Sequence, residues 1–138
     1  GGKIYLIPSL VVDYYARDTI KKVWKMFYQY GLFKPLVNKK LGSTATIRQF
    51  FPLCFVLGLI LGPFFGFISV NFFYLYLAVI LFYVLIAFYF SAKESKKIKR
   101  ILTQTYIYFI VHFSYGWGYL NGIYKLIFNK PFVALINR

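Results

Sequence analysis

Acidic residues are almost missing from this chain of 138 residues: Asp13, Asp18 and Glu94 stand against 17 Lys and Arg, for a formal charge of +14. That scarcity disfavours both paired-carboxylate acid–base chemistry and a carboxylate metal site. Cys54 is the single cysteine and sits inside an apolar run. No intrachain disulfide can form, and the residue says nothing about redox compartment. No glycine loop of the phosphate-cradling kind is present; the glycines recur at helical spacing within apolar runs, as packing glycines do. His112 is the single histidine. In a membrane segment a lone histidine reads first as a helix–helix hydrogen bond and second as a functional polar residue. The chain opens Gly1-Gly2-Lys3, without an initiator Met or a signal peptide, and we expect a fragment of a longer protein.

The largest absence is charge between Phe50 and Phe90, where there is none. Phe50 to Val70 is an apolar run of 21 residues, and Phe72 to Phe90 one of 19 without Gly or Pro. About 20 apolar residues let a helix cross a hydrocarbon core of roughly 30 Å. With only Asn71 and nearby Ser69 between them, the runs predict a tight transmembrane helical hairpin. Backbone groups in lipid must be satisfied internally, so the runs are helices. The alternative, a buried hairpin in a soluble protein, asks a chain this short to wrap forty consecutive apolar positions. The composition agrees, at 60% hydrophobic with 17 Phe and 14 Tyr. Nine basic residues precede Phe50, five lie between Lys93 and Arg100, and three follow Tyr124. They flank the runs as cytoplasmic segments do, which argues for anionic lipid head groups and against nucleic acid.

Lys3 to Val12 reads as a short extended run limited by Pro8, the last strand of a domain lying upstream. Asp18 to Tyr30 reads as a basic amphipathic helix. Asp18 is its expected N-cap and Gly31 its expected stop. Ile20, Val23, Trp24, Phe27 and Gly31 share one side; Lys21, Lys22, Lys25 and Gln29 share the other. Such a helix suits the head-group plane, and the same stripe would also pack on a soluble domain. Lys34 to Ser43 reads as a basic connector. Within the first run Gly58, Gly62 and Gly66 recur four apart, and Pro63 predicts a kink. Lys93 to Arg100 reads as a solvated loop. Ile101 to Phe128 carries Gln104, His112, Ser114, Asn121 and Lys125, with Ser114, Gly118 and Gly122 four apart. It reads as a third, glycine-containing membrane helix over about 103–128, with a re-entrant or interfacial helix as the other reading. Small residues let helices approach closely in lipid, so the two small-residue stripes are expected to face each other, with the bulky second run outside.

The fold expected is therefore an all-α membrane protein: an interfacial helix and connector over 18–49, a transmembrane region over 50–128 and a tail over 129–138. The order Gly1-Gly2-Lys3-Ile4, Pro8, Arg17, Gln29-Tyr30-Gly31, Ile47-Arg48-Gln49 with Pro52, then His112 with Tyr115-Gly116-Trp117-Gly118 resembles the C-terminal third of membrane-bound family 2 glycosyltransferases. The succinoglycan-biosynthesis type, which extends bacterial exopolysaccharides, is the group it resembles most. The resemblance implies an upstream GT-A domain, ending within residues 1–17 here at a Gly-(Gly/Tyr)-Lys-Ile strand. That domain would hold a nucleotide sugar and a divalent Mg or Mn ion on an Asp-x-Asp motif, with a Glu-Asp pair as base. None of these acids lies in this stretch, so no catalytic residue is expected in it. Processive synthases carry Gln-x-x-Arg-Trp where this chain has Gln29-Tyr30-Gly31-Leu32-Phe33, which points to transfer of a single sugar to a lipid-linked acceptor.

By position in that resemblance, Arg17, Gln29 and Tyr30 are the expected pocket-side residues; Arg17 and Gln29 could equally tie the helix to head groups. The resemblance places the protein in the cytoplasmic membrane. The positive-inside rule puts the basic segments in the cytoplasm, with Asn71 on the far side. A small non-enzymatic membrane protein, a scaffold or transporter subunit, is the alternative function.

Overall fold

The computed structural model describes Tyr5, Val11 and residues 16–44 and 46–134, and every described element is helical. The expected strand from Lys3 to Val12 lies outside the described residues apart from Tyr5 and Val11, as does Asp13.

Helix α1 spans Ile20–Leu41, 22 residues, well past the stop expected at Gly31. Thr19, not Asp18, is the N-cap: its extended backbone lets Oγ1 accept from the Lys22 amide at 3.3 Å. Asp18 instead pairs with Lys22 Nζ at 3.1 Å across one exposed turn, and that hydrogen bond holds its carboxyl below the usual carboxylate range. The stretch expected as a connector is helical because Gly31, Leu32 and Pro35 are buried against another helix. Pro35 removes one backbone bond to the carbonyl four residues back; packing on its buried face offsets that loss. The helix ends at Gly42, in the left-handed region at φ 64°, with Lys39 and Lys40 in the last turn, where cations suit the helix dipole.

The two apolar runs form the expected hairpin. The first stretch, Ile47–Ile68, comprises a 3-10 turn at Ile47–Phe50, α2 (Phe51–Leu61), a second 3-10 turn at Gly62–Phe64 and α3 (Phe65–Ile68). The tightened turn carries Pro63, where the sequence predicted a kink. The reversal centres on Ser69, whose extended backbone at φ −165° separates the helices. Its Oγ accepts from the Asn71 amide and starts α4 (Val70–Glu94). Phe55 stacks on Tyr83, a Cβ on Gly62 would meet Tyr76, and one on Gly66 would meet Phe73, so the partners run antiparallel down the hairpin. Both stretches are long and apolar enough to cross a membrane, and only 11% and 6% of their most apolar windows is buried.

Helix α5 spans Ile98–Ile127, 30 residues, and is the hub. It runs parallel to α1: Trp24 meets Phe113, Tyr28 meets Gly118 and Asn121, and Pro35 meets Gly122. It touches the hairpin at the end remote from Ser69, through Phe50, Pro52, Phe55 and Val56 of the first stretch and Tyr83 and Ser91 of α4. From Tyr83 onward the hairpin continues for about 20 Å to its turn, at 1.5 Å per residue.

The expected pairing of glycine stripes is not what forms. A Cβ added to Gly58 would meet nothing within 4 Å, while Gly62 and Gly66 pack on α4 rather than on α5. Gly118 and Gly122 pack on α1, and it is Gly116 that meets Pro52 and Val56. Ser114 is buried, donating to the Val111 carbonyl of its own helix. Spacing four apart puts residues on one helical face, but which neighbour that face meets depends on how the helices cross.

Candidate functional site

Three backbone approaches build the site. A Cβ on Gly31 would strike the carbonyl of Tyr115, one on Gly118 the carbonyl of Tyr28, and one on Gly122 the carbonyl of Leu32. These glycines draw α1 and α5 together, and the closeness brings Tyr115 beside a partly exposed stripe of α1 at Gln29, Tyr30, Phe33, Lys34 and Val37. The six residues line an open cleft of about 480 Å³. It offers aromatic faces from Tyr30, Phe33 and Tyr115, an amide from Gln29 and a cation from Lys34. No acid lines it.

Next to the cleft lies a polar knot. Asn38, one turn beyond Lys34, donates through Nδ2 to Gln49 Oε1 and to the Tyr119 hydroxyl, each at 3.2 Å. Gln49 is 6% exposed and Tyr119 3%. The knot therefore ties the C-terminal end of α1, the entry to the hairpin and α5 to one another. Asn38 Oδ1 and Gln49 Nε2 are buried with no partner among the described residues. On the same interface Asn121 donates to the Tyr28 hydroxyl at 2.6 Å.

Of the residues expected at a pocket, Gln29 and Tyr30 share this cleft, but Arg17 does not. Arg17 lines a separate cleft of about 180 Å³ with Asp18, Thr19, Val23 and Thr103. It lies 12 residues before Gln29, roughly 18 Å away where the chain is helical. His112 makes a helix–helix contact, its Nδ1 3.0 Å from the Tyr83 hydroxyl and 2.9 Å from the Tyr108 carbonyl. Sequence reasoning missed Phe33, Lys34, Asn38 and Tyr115. The first three continue the periodicity of α1, so they become legible only once that helix is allowed to run past Gly31.

Among the described residues no three His, Cys, Asp or Glu side chains gather where they could hold a metal. The Mg or Mn implied by the glycosyltransferase resemblance would be held by residues outside this stretch. No family model, no curated protein and no solved structure matches this chain.

Proposed function

We propose that this chain is the membrane anchor and acceptor-side platform of a glycosyltransferase. It would move a sugar from a nucleotide-sugar donor to a lipid-linked or polysaccharide acceptor in exopolysaccharide or cell-envelope glycan synthesis. The reading places the hairpin across the cytoplasmic membrane, with the basic segments on the cytoplasmic face.

The observation that carries it is the position of the Gln29 cleft. A water-soluble donor and a lipid-borne acceptor can meet only at the membrane surface. The cleft lies on a basic helix that is tied through Asn38 and Gln49 to the entry of an uncovered apolar hairpin. The order of short motifs from Gln29-Tyr30-Gly31 to Tyr115-Gly116-Trp117-Gly118 supports the transferase class. In this reading Gln29 donates its amide to a sugar or phosphate oxygen and Lys34 faces phosphate. The rings of Tyr30, Phe33 and Tyr115 supply flat apolar faces for a sugar ring. Chemistry at the anomeric carbon belongs to residues outside this stretch.

The test uses membranes from cells expressing the whole reading frame. Transfer of radiolabelled sugar from nucleotide-sugar donors into lipid-extractable product is compared for wild type and Gln29→Ala. A hydrogen bond to a charged group contributes about 1.5–3 kcal/mol, so we expect transfer to fall roughly 10- to 100-fold at unchanged protein level. Unchanged turnover would leave Gln29 as surface decoration, and absence of any transfer by the wild type would overturn the transferase reading.

A further inference from the structure

We propose that the groove between α4 and α5 holds one chain of an anionic phospholipid, with the lipid phosphate on the basic turn that joins those helices. The groove has a volume of about 260 Å³ and is lined by Tyr83, Ile86, Ala87, Phe90, Tyr108 and His112. Several of its polar groups are engaged by neighbouring groups of α4 and α5. The Tyr108 carbonyl can only accept, so His112 Nδ1 carries the proton it receives at 2.9 Å, and the Tyr83 oxygen lies 3.0 Å from the same nitrogen. The Tyr108 hydroxyl accepts from Gln104 Nε2 at 3.1 Å. What the walls offer a ligand is mostly hydrocarbon: Ile86, Ala87, Phe90 and the faces of the rings.

Above this apolar surface stands concentrated positive charge. Lys93, Lys96, Lys97, Lys99 and Arg100 fall within eight residues, with Glu94 the single acid among them. The turn is shaped by Ser95, whose Oγ accepts from the Lys97 amide at 3.2 Å. Lys93 is one turn from Phe90 on α4, and Arg100 is two turns from Tyr108 on α5, so groove and cations are stacked along the same pair of helices. A free phosphate would meet the cations and leave the groove empty. A neutral lipid would fill the groove and ignore the cations. An anionic phospholipid matches both, and charge complementarity selects it.

This inference rests on the membrane reading above and is independent of sugar transfer. The full-length chain is reconstituted into phosphatidylcholine vesicles carrying a trace of spin-labelled phosphatidylglycerol or spin-labelled phosphatidylcholine. Flotation reports membrane association, and electron paramagnetic resonance reports the immobilised lipid. The wild type should immobilise phosphatidylglycerol in preference. The pair Lys96→Gln and Lys97→Gln should lower that preference by about five-fold per lysine. Ile86→Trp fills the groove from a position 40% exposed, and should abolish the preference with flotation and helicity unchanged. Phe90→Ala, which removes a wall, should weaken it as a second and independent change. A preference that falls with the lysines but survives both groove variants is surface attraction alone and overturns the proposal, as does a wild type with no preference. A chain that does not float overturns the membrane reading with it.

Discussion

Gly118 and Gly58 are the same residue in helices of the same chain, and the structure gives them opposite consequences. A methyl on Gly118 would run into the Tyr28 carbonyl, whereas one on Gly58 meets nothing within 4 Å. Alanine is favoured over glycine in a helix interior by about 1 kcal/mol. Gly58→Ala should therefore be neutral or stabilising by up to that amount. Gly118→Ala must push two helix backbones apart, an overpacking that costs about 1–3 kcal/mol. Thermal unfolding in detergent followed by circular dichroism distinguishes them; equal melting temperatures would refute the close α1–α5 crossing. Sequence spacing marked both residues as packing glycines because it reports the face, not the neighbour. Tyr115 shows the converse. No pattern in α5 connects it to Gln29, and only the close crossing makes it a wall of the cleft.

Helix α1 shows how an element's limits depend on its partner. Local signals at Gly31 and Pro35 argue for an end, yet both are buried against α5 and the helix continues to Leu41. Burial of one face outweighs a glycine and a proline, since most helical stability in proteins comes from packing rather than propensity. At the other end the cap shifts by one residue, from Asp18 to Thr19. Asp18 and Thr19 are both good capping residues, and the extended backbone at Thr19, φ −129°, selects it. Thr19→Ala should cost about 1 kcal/mol and raise amide exchange through the first turn of α1. Asp18→Ala, which removes only an exposed ion pair, should leave that exchange nearly unchanged; the reverse pattern would restore Asp18 as the cap.

For the molecule as a whole, the testable matter is which way the hairpin points. In a Cys54→Ser background, Asn71→Cys beside the hairpin turn should react with an impermeant maleimide in intact cells, and Ser95→Cys in the basic turn only after lysis. Labelling of both positions in intact cells, or of neither, would sink the proposed topology. The sequence by itself determined that the chain is helical where it is apolar, that the first run is interrupted at Pro63 and the hairpin reverses near Asn71, and that basic residues flank the apolar runs. Those properties are local, written in runs, periodicity and charge order that each segment carries alone. Only the tertiary structure decided that α5 is the hub, that α1 lies along it, and that Gln29 and Tyr30 share a cleft from which Arg17 is excluded. The physical reason is that helix faces are set by a period of 3.6 residues, while contacts between them are set by crossing geometry. Residues as far apart in sequence as Tyr28 and Asn121 enter that geometry together, and no local pattern couples them.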